Sequence, residues 1–124
     1  LKENIVQTKS FDFALRIIGL YKRLKAEKEF VLSKQILRSG TSVGANIEEG
    51  ISAQSAKDFL SKMNISLKEA RETRYWLKLL DKSKIVDIDY TDYLKDNEEL
   101  VSLLTAIVKT TRERISNNSI TKNT

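Results

Sequence analysis

"RSGTSVGANIEEG", residues 38–50, decides how this chain is read, because it holds three of the four glycines. A Walker-type phosphate loop needs a preceding strand, two glycines five positions apart and a lysine after the second. Here Gly40 and Gly44 stand one position too close, Ala45 occupies the lysine's place, and no strand-like alternation comes before them. The stretch therefore reads as helix, with Gly40 and Gly44 one turn apart and Ser39, Ser42 and Ala45 around them. Small side chains let a second helix backbone come close. Each interior glycine costs roughly 1 kcal/mol relative to alanine, so the group needs a compensating reason. Close packing supplies one, and a kink or hinge at the glycines is the competing reading. Arg38, Ser42, Asn46 and Glu49 fall on the polar arc of the same helix. Arg38 and Glu49 are about 16 Å apart along it, too far to pair with each other. Hydrogen bonds to neighbouring helices or a subunit contact are the expectation for them.

Outward from this stretch the pattern stays helical. There is no proline, and apolar residues recur every three to four positions. Residues 10–28 place Phe11, Ala14, Ile17, Ile18, Tyr21 and Leu24 on one stripe, with Ser10 as the expected N-cap. Residues 31–53 align Leu32, Ile36, Val43 and Ile47. The third segment opens on Ser55 with Asp58 three residues later, a capping-box signature, and runs to about residue 82 with Phe59, Met63, Leu67, Ala70 and Leu77 on its core side. The fourth, residues 91–116, carries Leu94, Val101, Leu104, Val108, Thr111 and Ile115, and Lys109, Arg112 and Arg114 suit its negative end. Short connectors favour antiparallel neighbours. The prediction is an all-α, up-down-up-down antiparallel four-helix bundle over residues 1–116, followed by a frayed tail at 117–124.

Composition narrows the chemistry. The chain of 124 residues has no cysteine and no histidine, so thiolate nucleophiles, Cys-ligated metals and the usual general base are missing. Glu-x-x-His di-iron pairs cannot be built. The expectation is a non-enzyme without metal or cofactor, with carboxylate chemistry at residues such as Glu49, Glu69 and Glu72 as the remaining catalytic route. No apolar run is long enough to span a bilayer, and the N-terminal residues lack the apolar core of a signal peptide. A cytoplasmic protein with no membrane partner is expected.

The net charge of +5 is unevenly spread. Residues 1–28 and 55–84 are basic, whereas residues 87–99 hold six acidic side chains against Lys95 alone. Such segregation suits an anionic partner or a complementary subunit, and solvated helix faces are the plainer reading. Two rows stand out. Lys9, Arg16 and Arg23 repeat every seven residues, with Lys22 beside them. Lys68, Arg71, Tyr75, Lys78 and Lys82 share a narrow arc flanked by Arg74. Cations so spaced can follow phosphates, and an interleaved tyrosine can stack on a base. No base-reading module is visible, so recognition would rest on backbone charge and shape. The third helix also carries Ile65, Trp76 and Leu79 off its core arc, beside Glu69 and Glu72. A second apolar stripe points to a subunit interface, or to a broad core stripe.

"SFDFALRIIGLYKRLK", "QILRSGTSVGANIEEG" and "SAKDFLSKMNISLKEARETRYWLKLL", in that order, resemble the bacterial four-helix-bundle proteins encoded within 23S rRNA intervening sequences. That family is ribosomal-protein-like and similar in fold to the accessory variability determinant of diversity-generating retroelements. The resemblance covers about residues 8–116. It implies an antiparallel bundle assembled as a ring, usually a homopentamer, in the bacterial cytoplasm, with structured RNA or DNA as partner and no established catalysis. It maps the family pattern onto Arg38, Ser39, Ser42, Asn46, Glu49, Gly50, Glu69, Glu72 and Trp76 without assigning them a chemical role. The function expected is an oligomeric bundle that binds structured nucleic acid through basic helix faces. The alternative is an interaction scaffold or accessory subunit that docks a protein, such as a reverse transcriptase or a ribosomal component.

Overall fold

A computed structural model describes the backbone of residues 2–123 and the side chains of residues 4–118. Four helices follow one another: α1 (Lys2–Ala26), α2 (Leu32–Ile51), α3 (Ala56–Ser83) and α4 (Thr91–Asn123). Each packs on its neighbours in sequence, and α1 closes the ring against α4. The result is the antiparallel four-helix bundle that the periodicity and short connectors predict.

The core is a continuous column of side chains from all four helices and the α3–α4 connector, with Phe13, Ile17, Ile36, Ile47, Met63, Leu77 and Leu104 of the helices and Tyr90 of the connector among its fully buried members. Burial of this apolar surface is the main stabilising term. The α2–α3 seam adds polar ties inside it. The Ser39 hydroxyl donates to Thr73 Oγ1 at 2.9 Å, Thr73 giving its own proton to the Glu69 carbonyl at 2.8 Å, and Ser66 Oγ donates to the Val43 carbonyl at 2.7 Å. Across α3–α4, the Asn97 amide donates to the Ala70 carbonyl at 3.0 Å.

The helix ends show where local chemistry is decisive. Ser55 caps α3 by accepting the Asp58 N–H at 3.1 Å, as its sequence signature predicts. The α2 N-terminus has no side-chain cap from Val31. The buried Glu29 carboxylate takes that role instead, accepting the N–H groups of Val31, Leu32 and Ser33 at 3.2, 2.9 and 2.6 Å. A negative charge on three orphan donors suits a helix N-terminus well.

Two sequence expectations for α1 are corrected. The helix begins at Lys2, so Ser10 lies in its interior. There the Ser10 hydroxyl donates to the Gln7 carbonyl at 3.0 Å and is buried against α2. The buried stripe is Val6, Ser10, Phe13, Ile17, Leu20 and Leu24, while Phe11 and Ile18 face outward with Leu15. At its far end α4 continues as helix to Asn123, beyond the end expected at residue 116, since no glycine or proline stops it. The side chains of residues 119–124, within the expected tail, lie outside those described.

Candidate functional site

The glycine stretch is where α1 lies against α2. A β-carbon on Gly40 would stand 2.9 Å from Ile17 Cγ2, and one on Gly44 would stand 3.4 Å from the backbone oxygen of Ser10. Gly50 faces α3, where a β-carbon would meet Met63 Cε at 2.5 Å and Lys62 Cβ at 3.1 Å. The α2 helix is unbroken through all three positions.

The polar arc of α2 is tied to α3 and to itself. Arg38 bridges Glu69 at 3.2 Å and also Glu72, whose Oε2 in turn accepts the Trp76 indole N–H at 2.9 Å. Ser42 donates to the Arg38 carbonyl, and the Asn46 amide donates to that of Ser42. Glu49 pairs with Lys62 at 2.7 Å. One guanidinium therefore holds two carboxylates that sit one turn apart on α3. Trp76 leans on the core and sits edge-on to Tyr75, whereas Ile65 and Leu79 remain on the surface.

The two basic rows differ sharply in their surroundings. On α1, Lys9 pairs with Glu99 at 2.5 Å and Arg16 pairs with Asp96. The hydrogen bond and charge of Glu99 hold the Lys9 ammonium above its ordinary pKa. Arg16 also lies 5.3 Å from the centre of the Tyr93 ring. Together with Asp12 these groups line a concavity of about 330 Å³ in which acids and bases alternate. The acidic run of residues 87–99 thus answers much of the α1 row from within the chain. Lys22 and Arg23 stay exposed.

On α3, Lys68, Arg71, Tyr75, Lys78 and Lys82 are all exposed, and among the described residues none of the four cations has an ion pair. Only Arg74, at the edge of the row, is paired, with Glu98 at 3.0 Å. The stripe from Lys68 to Lys82 is about 21 Å long at the helical rise. Its neighbour on the α2 side of α3 is the Ile65, Glu72 and Leu79 stripe, so the exposed face of α3 divides lengthwise into a basic and a mixed half.

Sequence reasoning missed a third surface. Phe11 is 62% exposed and Leu15 55%, and with Ile18 they form an apolar row along the outside of α1. Phe11 and Ala14 border a shallow groove whose other wall is Thr41, Gly44 and Ala45 of α2. Assigning Phe11 and Ile18 to the core hid this row. Among the described residues no group of three acidic side chains is placed to hold a metal ion, and no helix is long and apolar enough to cross a membrane.

Comparison with known proteins follows the same outline. Residues 2–106 match the family model described as 23S rRNA-intervening sequence protein. A crystal structure of a protein of unknown function from the S23 ribosomal protein family of Bacteroides thetaiotaomicron is similar at a TM-score of 0.84 and 52% identity. The similarity covers 88% of this chain and 99% of that one. A comparison with curated proteins finds no match.

Proposed function

Because the chain belongs to the 23S rRNA-intervening sequence protein family, we propose that it is a non-enzymatic cytoplasmic bundle that binds structured nucleic acid, RNA foremost. The observation that carries this reading is the α3 stripe. Lys68, Arg71, Lys78 and Lys82 stand exposed and unanswered by any carboxylate among the described residues, with Tyr75 between them. Unpaired cations in a row attract phosphates, and a tyrosine among them offers a stacking face. The paired cations of α1 contribute less, because an incoming phosphate has to displace Glu99 from Lys9 and Asp96 from Arg16. Recognition is of backbone and shape.

The working form is a homo-oligomer, a pentamer on the family resemblance, joined through Ile65, Glu69, Glu72, Trp76 and Leu79 beside the basic stripe. Assembly would multiply the stripe and raise avidity for a long polyanion. The function is tested by titrating the full chain onto structured rRNA fragments, with Lys68→Gln/Lys78→Gln/Lys82→Gln as comparison. The triple variant should bind at least tenfold more weakly at low salt. An unchanged affinity contradicts the assignment.

The exposed row Phe11, Leu15 and Ile18 favours a second reading, that of a scaffold or accessory subunit docking a protein such as a reverse transcriptase or ribosomal component. Recovery of a protein partner after nuclease treatment, lost on Phe11→Asp, would support it.

A further inference from the structure

The charges along the α3–α4 seam change sign from one end to the other. Near the start of α4, Arg74 meets Glu98 at 3.0 Å. Farther along, where α3 runs back toward its N-terminus, Arg71 shares a groove with Lys109 and Arg112 of α4. The groove has a volume of about 450 Å³ and is floored by the buried Leu67 and Val108. Its other polar members are Asn64, Thr105 and Glu113. Arg112 reaches the Asn64 side-chain oxygen at 3.5 Å, a long contact that leaves its remaining donors free.

Elsewhere the bundle answers its seam cations with acids: Lys9, Arg16, Arg38, Lys62 and Arg74 each hold a carboxylate. Here Arg71 and Lys109 have no ion pair among the described residues, although Glu113 lies on the rim. Three cations drawn to one concavity repel each other across it. An anion with several oxygens placed between them turns that repulsion into charge-assisted hydrogen bonds. Arg71 also belongs to the exposed α3 stripe, so the groove continues that stripe onto a second helix and gives cations on both of its walls.

The geometry points to this α3–α4 groove as the seat of an RNA phosphodiester backbone, held between Arg71 on one wall and Lys109 and Arg112 on the other. The inference rests on the nucleic-acid reading above and names the site that carries it. Lys109 and Arg112, expected from the sequence to complement the end of α4, lie well inside a helix that runs to Asn123, too far from its C-terminus for that role, and act as ligand contacts.

The test is fluorescence anisotropy of an end-labelled RNA hairpin against the full chain at several salt concentrations. Three proteins are compared: wild type, the groove variant Arg71→Gln/Lys109→Gln/Arg112→Gln, and the charge-matched Lys34→Gln/Lys57→Gln/Lys84→Gln. All six positions are exposed, and circular dichroism melting verifies that the variants fold. The groove variant should lose about tenfold or more in affinity and about two units of salt slope, against about threefold or less for the charge-matched one. Equal losses in the two variants overturn the groove while leaving RNA binding in place. Absence of wild-type binding at low salt overturns the groove and the nucleic-acid reading together. An excess of unlabelled acidic peptide that displaces the hairpin better than unlabelled RNA overturns the phosphodiester assignment.

Discussion

Gly40 on α2 lies so close beneath Ile17 on α1 that an added β-carbon would stand 2.9 Å from Ile17 Cγ2 and 3.0 Å from its Cγ1. Four residues on, Gly44 faces the Ser10 backbone at 3.4 Å, an ordinary van der Waals distance. Gly40→Ala should therefore destabilise the bundle by about 1–2 kcal/mol, overpacking outweighing the gain of roughly 1 kcal/mol in helix propensity. Gly44→Ala keeps that gain without the clash and should be neutral or stabilising. Urea denaturation of the two variants checks the contrast, and equal destabilisation would contradict it.

Arg38 holds Glu69 and Glu72 together, and Trp76 donates to the same Glu72 oxygen that Arg38 reaches. Removing the guanidinium leaves two carboxylates one turn apart without their cation. Arg38→Ala should cost about 1 kcal/mol, less in high salt because the cluster is partly exposed. Since the chain has a single tryptophan, its fluorescence reports this seam directly and should shift in the variant before any change in helix content.

Glu29 caps α2 through three backbone N–H groups. Glu29→Ala should lower stability by about 1–2 kcal/mol through loss of a charged cap. Glu29→Gln should cost less, because the amide oxygen still accepts. Thermal melting of both variants measures the difference.

Tyr90 is buried, its hydroxyl donates to the Val86 carbonyl at 2.9 Å, and burial pushes its phenol up to about 12. Its unfolded value is near 10. Between those two pH values the unfolded chain releases the proton while the folded chain keeps it. Stability therefore falls as pH rises through this window, by up to about 2–3 kcal/mol. Tyr90→Phe should cost about 1 kcal/mol at neutral pH and flatten the alkaline decline. Denaturation midpoints between pH 9 and 12 test both parts.

The sequence carried the four helices, the Ser55 cap and the close approach at Gly40, because each rests on local spacing or local chemistry. The register of α1 did not follow, for a physical reason. Phe11, Leu15 and Ile18 on one side and Phe13, Ile17, Leu20 and Leu24 on the other give this helix two apolar faces, and periodicity alone does not say which one the bundle buries. The buried Ser10 made the choice harder, since a serine before an apolar run resembles a helix start. The sign reversal at residues 87–99 was visible, but its partners were not. That Glu99 meets Lys9 and Asp96 meets Arg16 depends on α1 closing against α4. For the same reason Lys109 and Arg112 read as complements of a helix end until α3 brought Arg71 beside them.

The most direct test of the central claim is the salt dependence of wild-type binding to a structured RNA. With the four α3 cations that have no ion pair among the described residues, and Lys109 and Arg112 of the groove, as principal contacts, log K should fall linearly with log salt at a slope of about −4 to −5. Undetectable binding at low salt, or an affinity indifferent to salt, would contradict the account.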